Sequence, residues 1–187
     1  MTKFVYFDVG GVLIKDFSKT NKWEELKKAK NITDPNFDVW FDEFESKLCL
    51  GKATLENVRI SIDDFVSRFE VNKTIWPIIK NIKKKYKIGL LTNMYPQMLK
   101  FIKERKLLPE VDWDVEIDSS VVSLQKPDPQ IYKLAQERAG VDASEILFVE
   151  NSLGNIEAAK IFGWQTFLYD SGDYEKSSQE LLRFLDI

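Results

Sequence analysis

The stretch Lys3-Phe4-Val5-Tyr6-Phe7-Asp8-Val9-Gly10-Gly11-Val12-Leu13-Ile14 decides the fold. Its first half is apolar, β-branched and aromatic, and too short for a helix, so it reads as a buried strand. The strand runs into a carboxylate. An unpaired buried charge is costly, so Asp8 must meet solvent or a partner. Gly10 and Gly11 then allow the backbone to approach a ligand with no Cβ in the way. A strand tip, an acid and permissive backbone together suit an anion, a metal ion or both. Position 10 is Gly and not a second acid, and this absence shapes the chemistry below.

The chain has 187 residues, enough for one domain with a real hydrophobic core or a core plus a small insertion. Hydrophobic residues make up 44% and charged residues 30%, the balance of a soluble globular protein. A net charge of −3 argues against nucleic-acid binding by bulk electrostatics. The lysine clusters at 27, 28, 30 and 83–85 read as solvated helix faces. Cys49 is the single cysteine, which rules out an intrachain disulfide and favours a reducing compartment. The absence of His removes His bases, Ser-His-Asp triads and His-ligated zinc, so any metal must rest on oxygen ligands. No signal-peptide pattern or membrane-length apolar run is read, and a cytoplasmic protein with no membrane partner is expected.

Beyond Ile14 the periodicity is helical. Helices are predicted over 20–31 and 36–48, the second with Phe37, Trp40, Phe41 and Phe44 on one face as core. Gly51 breaks it, and Thr54 caps a predicted helix over 54–69. No strand is predicted between 15 and 85. From Thr74 helices and strands alternate: helix 74–86, strand 88–93, helix 95–106, extended 115–119, helix 129–140, strand 146–151, helix 153–162, strand 165–169, helix 174–185. Such alternation predicts an α/β fold with a parallel sheet and helices on both faces. The expected division is a core of 1–15 and 74–187 and a helical insert of 16–73.

In open parallel sheets ligands sit outside the carboxyl ends of the strands. The residues ending each strand are Asp8; Thr92 and Asn93; Lys126, in the Gln125-Lys126-Pro127-Asp128-Pro129 loop; and Glu150 and Asn151. Two acids, an amide and backbone oxygens suit Mg²⁺. A lysine and a hydroxyl suit a phosphoryl group, which an Asp nucleophile attacks to form an aspartyl-phosphate.

Four segments together resemble the haloacid dehalogenase-like (HAD) superfamily: Phe7-Asp8-Val9-Gly10-Gly11-Val12-Leu13, Leu90-Leu91-Thr92-Asn93, Gln125 through Tyr132, and Phe148-Val149-Glu150-Asn151 through Gly163. They stand in the family's order across most of the chain. The resemblance implies a Rossmann-like parallel sheet with a small helical-bundle cap inserted between the first two motifs. It implies a Mg²⁺-dependent phosphatase acting on a small phosphorylated metabolite. The implied roles are Asp8 as nucleophile and metal ligand, Gly10 as metal ligand through its carbonyl, and Glu150 with Asn151 at the position of the metal acids. Thr92 is the phosphoryl hydrogen bonder and Lys126 the charge-neutralising partner. Gly11 and Asn93 join them around the phosphoryl group. Lys52, with Lys47 and Arg59 near it, is expected to meet an anionic substrate tail.

Two positions depart from the pattern. Most family phosphatases carry an Asp where Gly10 stands, as general acid to the leaving group, a service worth about 10²–10⁴-fold. Asp16, just beyond, is either a substitute or an exposed linker acid. Asn151 removes one charge from the metal site. Two alternatives follow: a weakened or non-catalytic binding protein on the same fold, and a metal-independent dehalogenase, for which the Tyr expected at position 10 is missing.

Overall fold

The computed structural model describes every residue except Lys19. The chain runs β1 (Phe4–Phe7), β2 (Ile14–Lys15), α1 (Asn21–Ala29), α2 (Phe37–Cys49), a 3₁₀ turn at Leu55–Val58, α3 (Ile62–Val66), β3 (Glu70–Val71) and α4 (Trp76–Lys85). It continues with β4 (Lys87–Thr92), α5 (Met98–Glu104), β5 (Val115–Asp118), α6 (Ser119–Val122), α7 (Pro129–Ala139), β6 (Ile146–Glu150), α8 (Leu153–Ile161), β7 (Gln165–Leu168) and α9 (Tyr174–Leu185). Five strands form one parallel sheet in the order β5-β4-β1-β6-β7. The predicted α/β class is what the chain adopts.

β1 sits at the centre and explains its composition. Its four residues are all buried, and successive side chains enter opposite layers. Val5 and Phe7 join the apolar cluster with Ile79, Ile102 and Leu181 of α4, α5 and α9. Phe4 and Tyr6 join the second cluster with Ile131 and Ala135 of α7 and Ala159 of α8. Gly89 of β4 leaves room for the second layer: a Cβ there would lie 2.7 Å from the Tyr6 ring and 2.9 Å from the Val115 carbonyl oxygen.

Four details differ from the sequence reading. The predicted helix over 54–69 is broken. A Thr54–Asn57 capping box closes one 3₁₀ turn, Arg59 adopts φ +61°, and the Ser61 hydroxyl caps α3 by accepting from the Asp64 N–H at 3.2 Å. The apolar stripe is real, with Leu55, Val58, Ile62, Phe65, Val66 and Phe69 all buried, but packing uses it without helical continuity. A strand does occur between 15 and 85: β3 pairs antiparallel with β2, Ile14 opposite Val71. Two residues are too few to carry a periodicity. The same brevity hid α6, which Asp118 caps by accepting from the Ser120 N–H. Of the aromatic stripe on α2, Phe41 is buried, Phe37 and Phe44 are half-buried, and Trp40 is exposed, stacked on Phe44 at 4.8 Å.

Candidate active site

Register brings the strand tips together. Phe7 lies opposite Leu90 and Val149, so one residue further Asp8 reaches the level of Glu150, and Thr92 ends the neighbouring strand. The Asp8 N–H still donates to the Val149 carbonyl at 3.0 Å, which fixes the acid at the sheet edge. Lys126 arrives from the loop before α7, held by Asn93. The Lys126 N–H donates to Asn93 Oδ1 at 2.8 Å, and Asn93 Nδ2 donates to the Lys126 carbonyl at 2.9 Å.

The Lys126 ammonium stands between two carboxylates, 2.9 Å from Asp8 Oδ1 and 2.6 Å from Glu150 Oε2. All three side chains are largely buried. Burial opposes the charge on Lys126, but the two carboxylates win and raise its pKa. At Asp8 burial dominates and Glu150 adds repulsion. Together they push the carboxyl above the ordinary range despite Lys126. One ammonium between two carboxylates leaves one negative charge uncompensated in a buried site, a setting that calls for a further cation.

Glu150 is more committed than its position in the sequence suggested. Its Oε1 accepts the N–H groups of Asn151 and Ser152, both at 2.9 Å. Its Oε2 accepts from Lys126 and from Asn155 Nδ2 at 3.1 Å. Protein donors thus occupy all four acceptor positions. Glu150 anchors Lys126 and the entry to α8 and gives a cation negative potential instead of an open lone pair. Among the described residues no group of three acids or cysteines converges to hold a metal. The oxygens open to a cation are those of Asp8 and the Gly10 carbonyl; the inward end of the Asn151 amide lies 3.2 Å from the Gly10 oxygen, where the protein's own hydrogen bonds favour its nitrogen, with its oxygen accepting from Ser171. This all-oxygen set, with its net negative charge, fits Mg²⁺.

Thr92 Oγ1 is buried and has no hydrogen-bond partner among the described residues. Buried hydroxyls are ordinarily satisfied, so one without a partner at the strand tips is exceptional, although Thr92 does not line the cavity above them. At Gly10 an added Cβ would meet nothing within 4 Å, so the place of the missing acid is open space. The cavity above the tips measures about 550 Å³, with Asp8, Gly10, Lys126 and Glu150 on its floor. Its walls carry Asp16, Asp42 and Glu45 together with Trp23, Phe41, Phe65 and Tyr95. The Tyr95 hydroxyl donates to Glu45 at 2.6 Å.

Several expectations change here. Asn93 lines the cavity but spends its amide on the Lys126 backbone, so it positions the lysine. Gly11 has φ +78° and packs on Asn151, where a Cβ would lie 2.2 Å from the amide. Lys52 and Arg59 are exposed and do not line the cavity, and Lys47 lies over the Phe44 ring. Gly51 turns the chain before Lys52 and packs so closely on the Ser120 carbonyl that a Cβ would sit 2.2 Å from it. Lys126 is the sole cation on the cavity wall among the described residues. Asn155 and Ser171 were not read as site residues. Asn155 follows Glu150 by five positions at the start of α8, and Ser171 gives no sequence signal.

A family model for haloacid dehalogenase-like hydrolases matches residues 2–163. The chain belongs to that family. It is 24% identical to a D-ribitol-5-phosphate phosphatase of Bacteroides thetaiotaomicron, covering 92% of this chain and 94% of the relative. A phosphorylated carbohydrates phosphatase of Thermotoga maritima is 30% identical, over 60% of this chain and 54% of that protein. Among solved structures, a HAD family enzyme of B. thetaiotaomicron, complexed with magnesium and inorganic phosphate, aligns with a TM-score of 0.76. It is 23% identical and covers 92% of this chain and 96% of its own. A HAD phosphatase from Thermococcus onnurineus aligns with a TM-score of 0.68 at 20% identity over 98% of both chains. The protein is therefore a HAD-like hydrolase.

Proposed function

We propose that this HAD-like hydrolase is a magnesium-dependent phosphomonoester hydrolase acting on a small, hydroxyl-rich phosphate ester through a covalent intermediate on Asp8. The carrying observation is the buried Asp8–Lys126–Glu150 arrangement at the strand tips, one positive charge short, beside the buried Thr92 hydroxyl. An Asp8 carboxylate oxygen attacks phosphorus, and the bond from phosphorus to the ester oxygen breaks. The leaving oxygen takes a proton from water, since Gly10 supplies none. Water then attacks the aspartyl-phosphate, releasing phosphate and restoring Asp8. Lys126 offsets charge on the transferring oxygens, and Thr92 donates to one of them. Asp8 and the Gly10 carbonyl, with Asn151 once its amide turns its oxygen inward, would hold Mg²⁺, which would supply electrostatic stabilisation of the phosphoryl group.

The names of the two curated relatives support a sugar or polyol phosphate. The acid-rich wall with no described cation besides Lys126 supports a substrate without a second anionic group. A panel of sugar, polyol and carboxylate-bearing phosphate esters assayed with Mg²⁺ tests this reading. Turnover is expected on the uncharged-tail esters, with a loss of at least about 10³-fold in Asp8→Asn. Equal background turnover in both proteins would contradict it.

A further inference from the structure

Residues 9–14, which follow Asp8, turn back on themselves. The Val9 carbonyl accepts the N–H groups of Val12, Leu13 and Ile14 at 3.3, 3.0 and 3.0 Å, and the Gly11 N–H donates to the Ile14 carbonyl at 2.8 Å. That last bond aims the Gly10 carbonyl. The Gly10–Gly11 peptide is planar and trans, so its C=O and N–H point in opposite directions. With the N–H on Ile14, the Gly10 oxygen faces away from Ile14, and Gly10 lies on the cavity floor. The aim of this oxygen therefore depends on where Ile14 is held.

Asn72 holds that end of the turn. It follows β3, whose Val71 pairs with Ile14. Its backbone N–H donates to the Leu13 carbonyl at 3.1 Å, and its fully buried side chain donates from Nδ2 to the Val12 carbonyl at 2.7 Å. The neighbours fix the orientation of this amide. The Val12 carbonyl can only accept, and the Thr74 N–H, 3.2 Å from Oδ1, can only donate. The Thr74 hydroxyl adds a second bond to Oδ1 at 2.6 Å, and the other Nδ2 proton goes to the Tyr169 hydroxyl at 2.9 Å. A buried amide satisfied this completely costs little, and it does what no apolar residue of its shape does: it donates to a loop carbonyl.

We infer that Asn72 is a positioning residue for the active site: by holding the Val12 and Leu13 carbonyls it fixes Ile14, and through Ile14 the direction of the Gly10 carbonyl beside Asp8. It belongs to none of the four segments that resemble the family. Its catalytic consequence rests on the phosphatase reading proposed above; the hold on residues 12–14 does not.

Asn72→Leu keeps the branching and volume but leaves the Val12 carbonyl without its donor, and Asn72→Ala does the same with a smaller side chain should the Leu variant fail to fold. Tyr169→Phe is the control, since it removes a hydroxyl from the same buried network and keeps the bond to Val12. Hydrogen exchange of the metal-free protein, read by mass spectrometry on the peptide carrying residues 9–14, needs no turnover. The Asn72 variants are expected to speed it about tenfold, and Tyr169→Phe by less than about twofold. On phosphate esters that wild type hydrolyses, at saturating Mg²⁺, kcat in the Asn72 variants should fall by about 10–100-fold with KM within about threefold, and kcat in Tyr169→Phe should stay within about twofold. Unchanged exchange over 9–14 in the folded Asn72 variants would overturn the inference. So would equal acceleration in Tyr169→Phe, which would assign the effect to the network as a whole, or a loosened turn with kcat unchanged. A wild type that hydrolyses no ester would instead remove the phosphatase reading, and the exchange result would still decide the hold.

Discussion

At Asp8 the protein holds a carboxylate under conditions that disfavour its charge. Burial and Glu150 push its pKa up, and Lys126 is shared with that same neighbour. Function and stability therefore oppose each other at this residue. Asp8→Asn leaves Lys126 paired with Glu150 alone, charge for charge. Its metal-free melting temperature is expected to rise by about 2–4 °C, the shift that about 1 kcal/mol produces in a domain of this size. An unchanged or lower value in a calorimetric scan with chelator would contradict the charge excess. At Gly10, space for a side chain exists. Gly10→Asp should raise turnover on alkyl phosphates by about 10–100-fold and leave aryl phosphates, whose leaving groups need little protonation, nearly unchanged. Comparing kcat on the two ester classes checks it, and equal effects on both would exclude proton transfer as the deficit. Asp8, Thr92 and Glu150 were legible as strand ends, because a polar residue ending an apolar run stands out, and Lys126 as the lysine of a loop just before a Pro-initiated helix. What each side chain is bonded to was not legible. Asn93 turned from substrate to Lys126, and Glu150 filled its acceptors with local N–H groups, through pairings that depend on loop geometry.

Among the elements, the strands and the longer helices followed their periodicity to within two or three residues. The 54–69 region did not, since hydrophobic spacing reports which side chains are buried and not whether the backbone between them stays helical. Ser61 competes as a cap, and Arg59 takes a left-handed conformation that non-glycine residues adopt at a cost. Arg59→Gly distinguishes the two backbones by sign. In the broken form it is expected to be neutral or stabilising by up to about 1 kcal/mol, whereas in a continuous helix glycine would cost about 1 kcal/mol. Urea unfolding gives the answer directly. Lys52 departs from its expected place at the same scale: its basic side chain is legible, but the Gly51 turn before it packs on Ser120, far along the chain.

For the whole molecule, a central β1 flanked by β4 and β6 gathers residues from four distant segments at one edge. That arrangement was legible because three of the segments end a strand in a polar residue and the fourth places Lys126 in the loop before α7. The sheet is braced away from the site by Asp114, which accepts from Lys83 of α4 at 2.6 Å and from the Ile88 N–H of β4 at 2.8 Å. Partial burial opposes its ionisation, but these two donors prevail and hold its pKa below the ordinary carboxylate range. A carboxyl with a depressed folded pKa contributes stability above its unfolded value, about 4, and loses it as pH falls through the folded value. The gap in melting temperature between wild type and Asp114→Asn should therefore be full at about pH 6 and close as pH drops below about 4. A gap independent of pH would mean that the brace is not electrostatic. No helix among the described residues is long and apolar enough to cross a membrane.

Everything proposed for this hydrolase passes through a phosphoryl group carried on Asp8. Borohydride reduction during steady-state turnover of a polyol phosphate, followed by peptide mass spectrometry, tests that most directly. Reduction of an aspartyl-phosphate converts that residue to homoserine, so the account predicts homoserine at position 8 in wild type and none in Asp8→Asn or without substrate. Sustained turnover with Asp8 unmodified, or modification at another carboxylate, would contradict it.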